Sequence, residues 1–188
     1  MSNGQNQQRL PEMSGQSDEY LVTESRKGNA TAFKELVERH EGKVAGVVKS
    51  ILGDAVEASD VGQEVFIRFY EALDKFKGES TVSTYLIRIA INLSLNEIKK
   101  QKRKNFFLKP MEAGYQAKAN DDGSDLKEMI QYEIRQLDFD FQTTITLRMI
   151  EGYSTEETAE ILGIPLGTVL SRLSRAQKRL KVRLAKYL

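Results

Sequence analysis

The stretch that most constrains this chain runs from Tyr153 to Leu184, YSTEETAEILGIPLGTVLSRLSRAQKRLKVRL. It divides into a short helix, a tight turn and a longer basic helix. Ser154 followed by Glu157 reads as a capping box, in which hydroxyl and carboxylate each satisfy an otherwise orphan amide. Ala159, Ile161 and Leu162 give the short helix an apolar side, and Gly163 can turn left-handed at its end. Pro165 suits the entry of the second helix, where a missing amide hydrogen costs little. There Val169, Leu173, Ala176, Leu180 and Leu184 form one apolar stripe. The other faces carry Arg172, Arg175, Lys178, Arg179, Lys181, Arg183 and Lys186, with no acidic residue from Leu166 to Leu188. Thr168 and Ser171 place small polar groups near the helix start. This is the pattern of a helix-turn-helix whose second helix enters the major groove. Basic charge alone would fit an amphipathic helix with a solvated face; the capping box, turn and absence of acids together favour DNA binding.

The remainder must fit within 188 residues, enough for one ordinary domain or two small ones. Apolar content of 40% with 29% charged residues is that of a globular chain. The longest apolar run, Thr84 to Leu95, is broken by Arg88 and too short to cross a bilayer. The first thirty residues hold no signal pattern, so the protein is expected to stay in the cytoplasm where it is made, without membrane insertion. The absence of cysteine excludes disulfides and thiolate chemistry. With a single histidine, no Gly-rich phosphate loop and no zinc spacing, no enzyme, cofactor, metal or small-molecule substrate is expected. The net charge of +1 averages separated blocks. Asp54, Glu57, Asp60 and Glu64 form an acidic run, while Lys99, Lys100, Lys102, Arg103 and Lys104 form a basic one. Such segregation suits one surface for nucleic acid and another for a protein partner.

Taken in order, residues 1–17 are Gln-, Asn-, Ser- and Gly-rich and read as a disordered tail. A short helix holding Leu21 and Val22 should end at Gly28-Asn29. A second, from Ala32 through Leu52, should stop at Gly53-Asp54. His40 on it reads as a structural surface or cap residue. A third spans Ser59 to Phe76 with Ser59 as its cap and Val61, Val65, Phe66, Phe69 and Leu73 buried. A loop at Lys77–Ser80 leads to a helix over about 83–104, capped by Ser83 or Thr84. Residues 105–124 lose the helical period and contain Pro110, Gly114 and Gly123, which reads as a linker. Helical periodicity resumes from Asp125 to Leu137 and from Phe139 to Glu151, with Phe141, Ile145, Leu147 and Ile150 inward. No stretch shows period-two alternation over a strand length, so the expected fold is all-α, two small helical domains joined by a linker.

Within the 83–104 helix, Arg88, Asn92, Asn96, Lys99 and Arg103 form a polar, increasingly basic stripe, with Tyr85 at its start. Asparagine is a poor helix former, so two of them one turn apart need a reason. They could hydrogen-bond nucleic acid beside a stacking aromatic, or they could tie neighbouring helices together.

The stretch DVGQEVFIRFYEALDKFKGESTVSTYLIRIAINLSLNEIKKQKR (Asp60–Arg103) and the helix-turn-helix from Gly152 to Leu180 together resemble the extracytoplasmic-function group of bacterial RNA polymerase sigma factors. GNATAFKELVERHEGKV (Gly28–Val44) is similar to that family's opening helices. The resemblance implies a tail over 1–17, a region-two domain over 18–104, a linker over 105–124 and a region-four domain over 125–188. It implies that Asp60, Gln63, Glu64 and Phe66 contact core RNA polymerase. Phe76, Tyr85, Arg88, Asn92 and Asn96 would then read and open the minus-ten promoter element. Thr168, Ser171, Arg172 and Arg175 would read the minus-thirty-five element as duplex. An anti-sigma factor is the further partner implied. Departures from the family pattern are Tyr85 where tryptophan is commoner, Gly62 inside a helix, Leu170 and Gln177 at usually basic positions, and Leu137-Asp138 in place of Leu-Pro. A helix-turn-helix regulator with a helical sensor domain is the alternative, although a sensor has no need of the second basic stripe.

Overall fold

The computed structural model describes residues 13–107 and 124–187, and all eight of its long elements are α-helices. Four make the first half: α1 (Asp18–Arg26), α2 (Ala30–Leu52), α3 (Val56–Ala72) and α4 (Val82–Phe107). Four make the second: α5 (Ser124–Arg135), α6 (Phe139–Ile145), α7 (Thr155–Leu162) and α8 (Leu166–Leu184). Among the described residues there is no strand, as the missing alternation requires. Residues 1–12 of the expected tail and 108–123 of the expected linker lie outside the described residues, while 105–107 extend α4 and Ser124 opens α5.

The inner end of that tail is corrected. Met13–Gly15 forms a single 3-10 turn, and Met13 is buried. Arg39 on α2 donates to the carbonyls of Gln16 (2.8 Å) and Ser14 (3.3 Å), so the backbone polar groups of this segment are satisfied by a side chain. Ser17 then caps α1 by accepting from the Tyr20 amide. Asp18 binds both Arg39 (2.8 Å) and His40 Nε2 (2.8 Å). His40 is thus structural as expected but buried rather than on the surface, because a carboxylate from the neighbouring helix receives it.

Asn29 caps α2 by accepting from the amides of Thr31 and Ala32, and Gly53 ends it with φ +80°. That sharp turn leaves almost no loop, so α3 starts at Val56 with Ala55 as an N-cap that lacks a side-chain bond. The expected cap Ser59 lies inside the helix, exposed. The cap of α4 likewise comes two or three residues before the expected Ser83 or Thr84: Thr81 Oγ1 accepts from the Thr84 amide at 3.1 Å. Val61, Val65, Phe69 and Leu73 are buried as their spacing demands.

In the second half, α6 runs directly into a π-helical turn over Thr146–Ile150. Its i→i+5 pattern, seen in the Glu151 amide donating to the Thr146 carbonyl (2.9 Å), adds a residue to the turn and shifts the helical phase. Leu147 stays fully buried, whereas Ile150, expected inward, is 37% exposed. The core of this half holds many polar groups: Gln142, Thr143, Thr144 and Thr146 are buried beside Ile145. Thr143 and Thr144 satisfy their hydroxyls on the preceding turn by donating to the Phe139 and Asp140 carbonyls. The second half is closed by Glu133, a carboxylate with no exposed surface, which receives Arg183 Nε (2.6 Å), Lys186 Nζ (2.8 Å) and the Tyr187 hydroxyl (2.8 Å) from the C-terminal end. Burial works against that charge, but the donors from Lys186, Tyr187 and Arg183 outweigh it and hold the carboxyl below the usual glutamate range.

The halves do not stand apart. Leu147 and Ile161 from the second are buried in the same apolar cluster as the α2 and α4 residues of the first, with Phe139, Tyr153 and Leu162 packed against it. Gln142 Nε2, 2% exposed, donates to the Ile51 carbonyl at 2.9 Å. Ser50 donates to the Glu151 carboxylate at 2.9 Å. Gly46 makes that approach possible, since a Cβ there would lie 2.8 Å from Glu151 Oε2.

Candidate nucleic-acid interface

The first surface begins where α3 runs out. Arg26 on α1 donates to the Leu73 carbonyl at 2.8 Å and to the Phe76 carbonyl, pinning the chain as it leaves the helix. Phe76 is thereby held against Tyr85, ring centroids 5.1 Å apart and planes inclined at 64°. Both rings lean on the buried Phe69, each 5.9 Å from it. Aromatic contacts of this kind fix ring orientation. Both rings are half-buried, so the pair is a rigid aromatic step at the loop that carries Gly78 (φ +73°).

Farther along α4 the expected stripe splits three ways. Arg88 is half-buried, and its guanidinium donates to the Glu160 (2.6 Å) and Ile161 (3.3 Å) carbonyls at the C-terminal end of α7. A cation there adds a donor to last-turn carbonyls and suits the negative end of the helix dipole. Asn92 is exposed beside it, at the edge of a small crevice of about 240 Å³ shared with Ile91, Ile161 and Gly163. Asn96 is exposed on a different trough of about 510 Å³ between α3 and α4, where Glu57, Asp60 and Glu64 face Lys100 and Arg103. Among the described residues neither asparagine side chain makes a hydrogen bond, so helix-tying does not account for them.

On α3, Asp60 and Gln63 are exposed, while Glu64 is half-buried and accepts from Arg68 Nε at 2.8 Å. Phe66 packs partly onto the core and lines a cleft of about 510 Å³ between α2 and α3, with Val37, Ala45 and Gly62. The absence of a side chain at Gly62 leaves that cleft open: a Cβ there would meet nothing within 4 Å.

The opening motif forms as its sequence requires. Ser154 and Glu157 make both capping-box bonds, at 3.0 and 2.7 Å. The Ser154 amide, then its hydroxyl, hold the Glu157 carboxyl below its ordinary range. Gly163 is left-handed (φ +63°, ψ +36°), and Pro165 sits at the N-cap of α8. Val169 and Ala176 are buried, with Leu173 and Leu180 packed on the smaller apolar cluster beneath.

Thr168 is half-buried and accepts from the exposed Ser171 hydroxyl through its carbonyl at 3.0 Å. Arg175 is exposed. Arg172 instead pairs with Asp140 at 2.7 Å, its side chain 24% exposed. Of the seven cations on this segment four are engaged by acids of the second half: Arg172 by Asp140, Arg179 by Asp138, and Arg183 and Lys186 by Glu133. Among the described residues Arg175, Lys178 and Lys181 form no ion pair. The sequence pattern marked all seven cations as one basic face. Their acidic partners lie 32 to 53 positions upstream, and no local spacing reveals them.

Comparison with known proteins resolves what this two-surface helical chain is. Residues 36–104 match the family model described as sigma-70 region 2, and residues 127–180 match sigma-70 region 4. The "ECF RNA polymerase sigma-E factor" of Escherichia coli K12 is 37% identical over 180 aligned positions, covering 86% of this chain and 91% of that protein. The chain belongs to the ECF sigma factors. The "RNA polymerase sigma-H factor" of Pseudomonas aeruginosa is 35% identical, covering 87% of this chain and 91% of that protein. Two solved structures share the fold at 24% identity. One is CnrH in complex with the cytosolic domain of CnrY (TM-score 0.69, 90% of this chain and 97% of that one). The other is the sigma factor RpoE of Bartonella quintana in complex with the anti-sigma factor NepR (TM-score 0.65, 81% and 96%).

This sigma factor is therefore a transcription initiation factor and not an enzyme, and the sensor-domain alternative is set aside. The region-two match takes in α2 from Leu36 through most of α4, and the region-four match takes in α5 to most of α8. Among the described residues no helix is long and apolar enough to cross a membrane, and no group of three or more His, Asp or Glu side chains could hold a metal ion.

Proposed function

We propose that this sigma factor divides promoter recognition between two surfaces while core RNA polymerase holds both, with residues 18–104 and 125–188 as the working domains joined by a linker. The carrying observation is that a rigid aromatic step, Phe76 against Tyr85, stands on one half and a basic helix-turn-helix on the other. Single-stranded and duplex DNA call for those two different chemistries. An unstacked base gains roughly 1–3 kcal/mol by stacking on an aromatic, which offsets much of the cost of extruding it. Phe76 and Tyr85 supply the platform for the minus-ten strand, and Asn92, Asn96 and Arg88 supply hydrogen bonds along the same helix. Thr168, Ser171 and Arg175 enter the major groove at the minus-thirty-five element, and Arg172 joins them by exchanging Asp140 for DNA. Phosphate contacts set register and a few base contacts specify.

Asp60, Gln63, Glu64 and Phe66 form the polymerase-binding surface of α3, with Gln63 and Phe66 lining its cleft toward α2 and Asp60 and Glu64 its trough toward α4. The protein works in the cytoplasm, where polymerase is. An anti-sigma factor is its regulator, a reading supported by the solved neighbour bound to one. The test is to sequence transcripts made on genomic DNA by core polymerase with and without this protein. A defined set of new start sites, sharing two upstream elements, is expected. Unchanged transcripts, or tight specific DNA binding that gains nothing from core, would overturn the reading.

A further inference from the structure

We propose that α1 braces the strand-reading loop, and that Arg26 is the positioning residue through which it acts. This rests on the promoter assignment above, which gives Phe76 and Tyr85 to the minus-ten strand. α1 lies upstream of the region-two match, which begins at residue 36, yet its last residue reaches 47 and 50 positions along the chain. Arg26 Nε donates to the Leu73 carbonyl at 2.8 Å, and a terminal guanidinium nitrogen donates to the Phe76 carbonyl. These carbonyls bracket the 3-10 turn Leu73–Lys75, after which Phe76 is extended (φ −70°, ψ 109°). One planar fork therefore sets the chain direction where the Phe76 ring is delivered to Tyr85 and Phe69.

The brace is fixed before it reaches the loop. At the start of α1, Asp18 holds Arg39 and His40 of α2. Leu21 and Val22 are buried along it, as is Ser25, whose hydroxyl donates to the Leu21 carbonyl at 2.7 Å. Gly28 (φ +86°) turns the chain at its end, and Asn29 caps α2 directly afterwards. Arg26 thus projects from a helix end held on both sides. The far side of the loop is pinned separately by the Thr81 hydroxyl, which accepts from the Thr84 amide and donates to its hydroxyl at 3.0 Å. Lys77, Gly78 and Glu79 stand exposed between the two anchors.

Such a loop meets an unpaired strand already shaped, so little ordering cost remains for binding. Without Arg26 the Leu73 carbonyl loses its side-chain donor, the Phe76 carbonyl turns to water, and the Phe76 ring swings with the chain. Apparent affinity for the strand then falls by the fraction of loops that keep the preset shape. Arg26 is itself exposed, so the fold loses little with it. A lysine keeps the charge but has no fork to span both carbonyls.

The probe is a fluorescent single-stranded oligonucleotide, the tighter-binding strand of the minus-ten sequence from a promoter mapped by transcript sequencing. It is titrated onto core polymerase loaded with this protein. Arg26→Ala and Arg26→Lys should each weaken strand binding about tenfold, as when about a tenth of loops stay preset. The salt slope and binding of the minus-thirty-five duplex should not change. In a Tyr85→Ala background Arg26→Ala should add less than about twofold, because the step it positions is already gone. Wild-type strand affinity in Arg26→Ala, or losses that multiply with Tyr85→Ala, would overturn the brace. So would full affinity in Arg26→Lys, or a log–log salt slope shallower by about 0.7 in Arg26→Ala, the signature of a direct contact with one strand phosphate. An equal loss on the minus-thirty-five duplex would make Arg26 a general structural part and refute the proposal as well. Tyr85→Ala that binds the strand as tightly as wild type would instead remove the minus-ten assignment on which the brace rests.

Discussion

Replacing Glu133 by glutamine removes one charge and almost no volume, and the structure says what that should cost. The wild-type carboxylate has no exposed surface and receives Arg183 at 2.6 Å, Lys186 at 2.8 Å and Tyr187 at 2.8 Å. An amide in its place turns a donor toward one of these donors and leaves Arg183 without its counter-charge. Breaking a buried pair by removing one partner costs about 3–5 kcal/mol. The lower end applies here, because the Arg183 side chain is 36% exposed and can turn to water. About 3 kcal/mol corresponds to a fall in Tm of roughly 6–12 °C for a chain of this length. The pH dependence provides a second handle. A folded-state pKa held below the unfolded value of about 4.3 stabilises the fold fully above that pH. That stabilisation is lost as pH falls through the folded pKa. The gap between wild type and Glu133→Gln, measured by urea unfolding, should therefore be widest near pH 7 and narrow steadily below about pH 4. A gap under 1 kcal/mol at pH 7, or one that does not shrink in acid, would refute the view that this carboxylate clasps the end of α8.

Asn92→Ala should weaken open-complex formation about fivefold, the loss of one hydrogen bond of about 1 kcal/mol, with little effect on closed-complex binding; heparin-challenge and footprinting assays separate the two. Arg172→Ala should change preference only at the minus-thirty-five element in a promoter-library selection, and cost under about 1 kcal/mol of stability because its partner Asp140 is largely exposed. Leu147→Ala should destabilise the protein by about 2–5 kcal/mol, and hydrogen exchange should report faster opening in α2 as well as α7, since the residue serves a core common to both. Promoter binding should fall with salt at a log–log slope of about −0.9 per neutralised phosphate, and Lys178→Ala should make the slope shallower by about that amount if Lys178 contacts one.

The helix-turn-helix was legible because its determinants are local. A capping box spans four positions, a left-handed glycine needs no distant partner, and an apolar stripe repeats within one helix. Glu157, Gly163 and Val169 accordingly sit where their neighbours in sequence put them. The same holds for the buried face of α3 and for the all-helical class. Local signals misplaced the starts of α3 and α4, because several polar residues there could cap a helix. The tight turn at Gly53 and the Thr81 hydroxyl decided between them. Ile150 moved outward because a π turn altered the helical phase, which periodicity alone does not encode.

What the chain order of residues determined by itself is a helical protein with two surfaces suited to DNA, each written in spacings of three and four. What only the tertiary structure decided is which of those charges are free to act. Arg88 ends on the carbonyls of α7, Arg172 on Asp140, and Arg183 with Lys186 on a buried Glu133. Each partner is far away in sequence, and the pairing energy depends on burial and on distances of a few ångströms. A linear pattern carries neither quantity, so it shows where cations stand but not what already holds them.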